Sequence, residues 1–285
     1  MKRILLSVFL ITVVFLSGCT QNSVFKTEIT EDVVPTIITV NAALNPGKYG
    51  ELPNKKYGWG LKKNKNAPPE VPGETVEILE NYGAIYIDTA PHTLYLTFDE
   101  GYENGYTAQI LDVLKENNVP AAFFVTGPYL KKEEALIKRM VNEGHIVGNH
   151  TVNHPSMPEV QSSEELTKEM LDLSSTFEKM TGEKMRFFRP PMGEYSERTL
   201  ALTQDLGYTT VFWSFAYKDW DTKAQKGTDY AYSQIMDGVH DGAILLLHAV
   251  SKDNADVLDR VIKDLKSQGY RFRSLENFGK NVKRN

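Results

Sequence analysis

The sequence predicts an α/β fold in which about seven parallel strands form a closed or partly closed barrel surrounded by helices. From residue 94 onward, short apolar runs alternate with longer segments whose apolar residues recur at three- and four-residue spacing. Gly144, Gly182, Gly207 and Gly269 each follow one of the longer segments, where a glycine commonly ends a helix. Strand–helix alternation of this kind builds parallel sheets covered by helices. Because there are about seven such units, a barrel is favoured over an open doubly wound sheet.

Each strand is predicted from an apolar run and each helix from the periodic segment that follows it. The predicted strands are Leu94–Phe98, Ala121–Val125, His145–Gly148, Arg186–Phe188, Thr209–Trp213, Ala243–Leu247 and Tyr270–Arg273. The predicted helices are Val76–Tyr82, Tyr106–Asn117, Lys132–Glu143, Ser163–Thr181, Ser196–Leu206, Asp229–Val239 and Ala255–Gln268. In such a barrel the chemistry is expected at the carboxyl ends of the strands.

The first 18 residues are expected to be a signal peptide. Lys2 and Arg3 precede an apolar run, Ile4 to Leu16, which is shorter than the about 20 residues of a membrane span. The run ends in Leu16-Ser17-Gly18-Cys19, which resembles the lipobox of bacterial lipoproteins. The resemblance implies an exported protein that a lipid on Cys19 anchors to the outer face of the cytoplasmic membrane. A plain signal peptide or an uncleaved anchor is the alternative.

The rest of the chain divides into a polar tether, an arm and one large domain. The tether is expected over 19–54, the N-terminal arm that packs on the barrel over 55–91, and the barrel domain over 92–285. A single cysteine excludes an intramolecular disulfide framework. The formal charge of −5 gives no reason to expect nucleic acid as a partner. No glycine fingerprint for a nucleotide cofactor follows any strand.

Two carboxylates, Asp99 and Glu100, follow the first barrel strand directly. If both were buried they would oppose each other's ionisation, and a metal cation or an arginine would relieve that cost. In the alternative, Asp99 caps the next helix and Glu100 faces solvent.

His150 and His154 follow another predicted strand. Residues four apart lie on one face if the segment is helical, and such a pair suits zinc-like metals through neutral imidazole nitrogens. No cysteine accompanies the pair. Two histidines and one carboxylate leave an open position for water, as catalytic metal sites do, so a catalytic divalent metal is expected here.

A rigid turn is predicted after the strand that ends near Arg189. The two prolines that follow Arg189 have no N–H, so Met192 offers the first free backbone donor after the arginine. That donor suits an oxyanion, whereas the alternative is a plain turn with a surface arginine.

The last candidate residues also lie at predicted strand ends. Trp213 closes a strand, and Asp219 beside Trp220 suits a sugar-binding groove, although Trp220 in the core is the alternative. His248 follows a very apolar strand, where a buried structural histidine is common. At the same barrel end as a metal and two carboxylates, His248 becomes a candidate general acid.

Together these motifs resemble the polysaccharide deacetylase family, the carbohydrate esterases with a NodB-homology domain. The matching segments, in the family's order, are Thr97-Phe98-Asp99-Glu100, His150-x-x-x-His154, Arg189-Pro190-Pro191-x-Gly193, Asp219-Trp220 and Leu247-His248. The resemblance covers about residue 92 to the C-terminus. It implies a distorted (β/α) barrel, a divalent metal such as zinc, and hydrolysis of N- or O-acetyl groups on carbohydrates.

The resemblance also implies roles for the acid–base residues. Asp99 is expected to be the general base, with Arg189 holding it ionised and oriented. His248, kept protonated by Asp219, is expected to protonate the departing sugar nitrogen.

The metal-binding position carries one departure from the family. His150 and His154 are the expected ligands, together with Glu100 at a position where the family usually has Asp. A glutamate is a competent ligand, but it is one methylene longer, so coordination at this position is expected to be altered or lost.

A narrower resemblance points to the delta-lactam-biosynthetic de-N-acetylases. The segments that carry it are Tyr57–Gly60, Asp99–Tyr106, Val211–Ser214 and His248–Asn254. It implies deacetylation of N-acetylmuramic acid in peptidoglycan strands without stem peptide, followed by ring closure to muramic δ-lactam in the spore cortex. One alternative substrate is N-acetylglucosamine in peptidoglycan or chitin-like oligomers. A third alternative is a lipid-anchored wall-binding protein that has lost catalysis, for which Glu100 is the only support.

Overall fold

The computed structural model describes residues 49–280 of the chain. The predicted signal peptide, Cys19 and the tether up to residue 48 lie outside the described residues. Within 49–280, no helix combines the length and apolar character that are needed to cross a bilayer.

The strands match the predicted alternation with helices. The strands are β1 (Tyr57–Gly58), β2 (Lys62–Asn64), β3 (Ala67–Glu70), β4 (Thr93–Glu100), β5 (Ala121–Val125), β6 (Ile146–Asn149), β7 (Phe187–Phe188), β8 (Glu194–Tyr195), β9 (Thr209–Thr210), β10 (Ala243–His248) and β11 (Arg271–Phe272). The helices are α1 (Gly73–Asn81), α2 (Thr107–Glu116), α3 (Gly127–Lys132), α4 (Glu134–Asn142), α5 (Ser163–Thr181), α6 (Glu197–Asp205), α7 (Thr228–Gly238) and α8 (Lys252–Ser267).

Seven of the strands form one parallel sheet. Its order is β10-β4-β5-β6-β7-β9, and β11 pairs with the first residues of β4. Isolated bridges bring the two ends of this row together: Ile85 joins Val211 beyond β9, while Ile87 and Phe215 join residues of β10. The sheet therefore curls into a partly closed barrel, which confirms the predicted fold class.

Residues of β4 alternate between the interior of the barrel and the layer beneath the helices. Tyr95 belongs to a buried cluster inside the barrel, with Phe124 and Ile244. Leu96 and Phe98 belong instead to the larger cluster between sheet and helices. Because successive side chains of a strand point to opposite faces, Asp99 faces the interior and Glu100 faces the helices.

The segment before the barrel packs on its carboxyl end. β1 pairs antiparallel with β8, and the Trp59 indole N–H donates to the Trp213 carbonyl over 2.9 Å. Tyr49 is buried in the core, and its hydroxyl donates to Asp205 over 2.6 Å. The last residues of the predicted tether therefore lie against the barrel, because a buried tyrosine fastens them there.

Three local predictions differ from the structure. The strand predicted over 209–213 pairs regularly only at Thr209 and Thr210, and beyond them Val211 forms an isolated bridge to Ile85. Helix α3, which begins at Gly127 and contains a proline in its first turn, was not predicted. The segment from His150 to His154 is not helical, because Thr151 and His154 have φ of 67° and 57°.

Candidate active site

Two candidate acid–base residues lie side by side where two neighbouring strands end. His248 is the last residue of β10 and pairs in register with Asp99 of β4. Side chains in register on adjacent parallel strands point to the same face, so both face the barrel interior. The hydrogen-bonding pattern of the sheet therefore sets the spacing of this pair.

Asp99 is held by a fully buried arginine. Arg189 donates from Nη1 to Oδ1 of Asp99 over 2.7 Å and from Nε to the Val211 carbonyl over 3.1 Å. Its guanidinium also lies 4.2 Å from the centre of the Phe124 ring. Burial alone would raise the pKa of Asp99, but the charges of Arg189, His150 and His248 outweigh burial and lower it. Asp99 is therefore ionised, with Oδ2 left for chemistry.

His150 and His154 come together through a loop. Their ring centres are 4.8 Å apart and the ring planes are inclined by 74°. Asn149 holds the loop, because its Oδ1 accepts the Thr151 N–H over 2.9 Å and its Nδ2 donates to the Met170 carbonyl over 2.7 Å. The sequence spacing correctly indicates proximity of the two rings, but left-handed residues produce it.

Both imidazoles are kept neutral. Burial lowers the pKa of His150 to about 4, against an opposing effect of Asp99, and burial also lowers the pKa of His154. His150 Nδ1 lies 2.8 Å from the Arg189 carbonyl, which leaves Nε2 facing Asp99 Oδ2 at 3.5 Å. A neutral imidazole with one nitrogen committed to a carbonyl is typical of a metal ligand.

Glu100 does not join the two histidines. It is fully buried on the helix-facing side of β4, and within residues 49–280 neither of its carboxylate oxygens has a hydrogen-bond partner. Burial, followed by the nearby Glu103 and Asp99, raises the pKa of Glu100 well above its ordinary value. The expectation that Glu100 is a third metal ligand is not met here, because strand alternation turns it away from the cavity.

The donor set present in the barrel suits a divalent metal only in part. Among residues 49–280, no three His, Cys, Asp or Glu side chains are grouped closely enough to hold a metal ion. The adjoining neutral imidazoles of His150 and His154 nevertheless supply two nitrogen ligands of the type that zinc-like metals take. These two histidines fit the metal, and Glu100 does not.

His248 and Asp219 form the second ion pair of the cavity. His248 Nδ1 lies 2.7 Å from Asp219 Oδ1, and the backbone N–H of His248 donates to Oδ2 over 2.8 Å. Burial would lower the pKa of His248, but the charge of Asp219 and its hydrogen bond outweigh burial and raise it. His248 is thus suited to carry a proton at neutral pH.

One member of each ion pair, Asp99 and His248, lines the same cavity of about 530 Å³. The candidate residues that line it are Asp99, His150, His154, Met192, Trp213, Trp220 and His248. Met192 has φ of 57°, and a Cβ on the following Gly193 would lie only 2.9 Å from the Trp213 ring. The turn after the prolines therefore packs tightly against Trp213, and Met192 in this turn lines the cavity.

Sequence reasoning missed three residues of this region. Asn149 positions the histidine loop and Asn254 donates to Asp219 over 2.6 Å. Tyr102 lines the cavity and is 54% exposed, as Met192 and Trp220 are at 55% each. An asparagine directly before His150 is a signal for a tight turn, whereas nothing local in the sequence links Asn254 to residue 219.

The fold and the site define a barrel hydrolase of the metal-assisted, acid–base kind. The family model described as polysaccharide deacetylase matches residues 86–211. The chain belongs to the polysaccharide deacetylase family and has PdaA homologues that are hydrolytic deacetylases. Deacetylases of this family generally depend on a divalent metal.

Relatives of this chain include two peptidoglycan deacetylases. PdaA of Bacillus subtilis, a peptidoglycan-N-acetylmuramic acid deacetylase, is 45% identical over 229 residues, which are 79% of this chain and 87% of that protein. A peptidoglycan-N-acetylglucosamine deacetylase of Bacillus cereus is 33% identical over 186 residues, or 63% of this chain and 66% of that protein. The structure of Bacillus subtilis PdaA, a family 4 carbohydrate esterase, superposes with a TM-score of 0.78 at 44% identity, covering 80% of this chain and 98% of that one.

Proposed function

We propose that this protein hydrolyses the N-acetyl group of N-acetylmuramic acid in peptidoglycan strands that lack stem peptides. The observation that carries the chemistry is a pair of ion pairs, Asp99–Arg189 and His248–Asp219. Their members Asp99 and His248 line one cavity. One pair keeps a carboxylate ionised and the other keeps an imidazole protonated, so base and acid coexist at the same pH. The relation to PdaA of Bacillus subtilis supports muramic acid as the sugar.

Asp99 is the general base. Its Oδ1 is occupied by Arg189, so Oδ2 takes the proton of the water that attacks the acetyl carbonyl carbon. Arg189 is fully buried, so its charge acts on Asp99 with little screening by solvent. The base is therefore ready at neutral pH without needing to be deprotonated first.

His248 is the general acid. Its Nδ1 is held by Asp219, so Nε2 is the nitrogen that delivers a proton to the departing amine when the C–N bond breaks. Asp219 fixes the ring orientation and stabilises the imidazolium, as the aspartate of a catalytic triad does. Acetate and a free sugar amine are the products.

The remaining candidate residues bind the reacting group. When a divalent metal, proposed as zinc, is bound by His150 and His154, it supplies the Lewis acidity that polarises the acetyl carbonyl. The Met192 N–H donates to the developing oxyanion, a contact whose loss typically costs about 100- to 1000-fold in kcat. Trp213 and Trp220 shape the groove for the sugar ring.

The setting of the reaction is also a proposal. The lipobox-like segment before Cys19 supports export and lipid anchoring at the outer face of the bacterial cytoplasmic membrane. The freed muramic amine would form an amide bond with the lactyl carboxyl and lose water, which closes the δ-lactam. The resemblance to the delta-lactam-biosynthetic de-N-acetylases supports placing this step in spore cortex formation.

Acetate release by the protein without residues 1–19, the predicted signal peptide and Cys19, tests the proposal. The substrates are peptidoglycan glycan strands with and without stem peptides, before and after chelation, with the Asp99→Ala variant as control. We expect chelator-sensitive release from peptide-free strands only, with new amines on muramic residues. New amines on glucosamine residues would support the deacetylase activity and would show that the substrate is N-acetylglucosamine instead of N-acetylmuramic acid. No release from any strand with zinc or another divalent metal restored would favour a wall-binding protein without activity.

A further inference from the structure

We infer that Asn254 is a positioning residue for the general acid: it fixes the carboxylate of Asp219 so that Asp219 can orient His248. This inference rests on the proposed function of His248 as the acid. Asn254 is 1% exposed and lies on the first turn of α8. It therefore reaches the site from a different element than Asp219, which lies in a loop, and His248, which ends β10.

Asn254 supplies the contact that completes the Asp219 carboxylate. Oδ1 of Asp219 is taken by the His248 ring, whereas Oδ2 accepts from the His248 N–H over 2.8 Å and from Asn254 Nδ2 over 2.6 Å. The same Nδ2 lies 3.3 Å from the His248 carbonyl. Asn254 therefore joins the strand end and the loop of Asp219, and the carboxylate cannot rotate without breaking buried hydrogen bonds.

Tyr217 orients the amide of Asn254. The Tyr217 hydroxyl donates to Oδ1 of Asn254. An ionised carboxylate only accepts hydrogen bonds, so the amide must turn its NH₂ group to Asp219 and its oxygen to Tyr217. The chain Tyr217–Asn254–Asp219–His248 thus has one consistent arrangement of donors and acceptors.

The position of Asn254 in its helix supports a role beyond helix capping. Ser251 is the N-cap of α8, and its hydroxyl accepts the backbone N–H of Asn254 over 3.2 Å. A residue at this third helical position often turns its side chain back to the N-cap in a capping box. The Asn254 side chain instead points to Asp219, so the helix gives up that contact.

A second amide side chain, Gln225, lies on the loop that carries Asp219 and provides a matched control for Asn254. Gln225 donates to the backbone carbonyl of Asp219 over 3.0 Å and accepts from the Ser251 hydroxyl over 2.7 Å. It fastens the loop to α8 but does not contact the Asp219 carboxylate. A loss of loop packing alone would appear equally in Gln225→Leu and in Asn254→Leu.

Titratable and charged side chains from several elements surround His248. Asp219 lies in the loop before α7, Asp99 on β4, Arg189 after β7, and the charge of His248 is also felt by His154. Asn254 carries no charge and does not titrate, so its removal changes the orientation of Asp219 without changing the net charge of the cavity.

A double-mutant cycle in kcat tests the inference. We expect Asn254→Leu to lower kcat about 10- to 100-fold with KM unchanged, by analogy with the loss of a hydrogen-bond partner that orients a metal-binding histidine. Tyr217→Phe should cause a smaller fall, and Gln225→Leu should leave kcat close to that of the wild type. In an Asp219→Ala background, Asn254→Leu should have no further effect, because its partner is gone. Equal losses with and without Asp219 would overturn the inference.

A spectroscopic measurement decides the same point independently of activity. The imidazole Nδ1 proton of His248 should give a resonance that moves in Asn254→Leu and stays in place in Gln225→Leu. If the resonance is the same in both variants, the inference is wrong. If wild-type protein releases no acetate from any substrate, the proposed function fails, while this resonance still decides whether Asn254 holds the pair.

Discussion

Glu100 is expected to make the stability of this protein fall with rising pH. It is fully buried, neither carboxylate oxygen has a hydrogen-bond partner in the described part of the chain, and burial raises its pKa well above the ordinary value. Below the ordinary pKa of a glutamic acid, Glu100 is protonated in the folded and in the unfolded chain, so it makes no pH-dependent contribution to stability. Above that value the unfolded chain loses its proton while the folded chain keeps it, so ionisation favours unfolding.

The magnitude follows from proton linkage. While the pH lies between the ordinary pKa and the raised pKa of Glu100, the folded chain binds one more proton than the unfolded chain. The free energy of unfolding then falls by about 1.4 kcal/mol per pH unit from this group alone. Glu100→Gln keeps the shape and the burial and removes the titration. As the pH rises from 5, the free energy of unfolding of the variant should therefore increase relative to that of the wild type by about 1.4 kcal/mol per pH unit.

Urea unfolding at pH 5, 6 and 7 in the presence of a chelator measures the difference. The exposed Glu116→Gln on α2 is the control, and its difference from the wild type should not depend on pH. A constant difference between Glu100→Gln and the wild type would refute the placement of Glu100. Zinc content after dialysis is a second check: Glu100→Gln should retain as much metal as the wild type, whereas His150→Gln should not.

Three further outcomes follow from the structure. Arg189→Met should move the acidic limb of the kcat/KM profile to higher pH, because burial without the arginine raises the pKa of Asp99; an unmoved limb would contradict the role of the ion pair. Tyr102→Ala should raise KM for glycan strands about 5- to 30-fold with kcat retained, as truncating an exposed aromatic at a binding surface costs about 1–2 kcal/mol, and steady-state kinetics on long strands checks this. Trp59→Ala should lower the free energy of unfolding by about 3–5 kcal/mol, measured by urea denaturation, and a loss below 1 kcal/mol would mean that the arm is not part of the core.

Periodicity determined most of the secondary structure. β5 and α5 have the bounds that the sequence predicts, because a fully apolar run and a long amphipathic segment leave little choice of structure. Gly144, Gly182, Gly207 and Gly269 all have φ between 78° and 89°, the left-handed conformation that a glycine after a helix adopts most easily. Short elements such as β9 were less predictable, because their pairing depends on neighbours that are distant in sequence.

The sequence by itself also determined the list of candidate site residues and their place at the strand ends. Asp99, His150 and His248 all lie where β4, β6 and β10 end, as parallel strands and the barrel rule require. The tertiary structure alone decided which of them act together. Closure of the sheet turned Asp99 to the cavity and left Glu100 under the helices, and α8 brought Asn254 to a carboxylate distant in sequence. The local sequence pattern shows that the two faces of an element differ, whereas only tertiary packing decides which face points to the cavity.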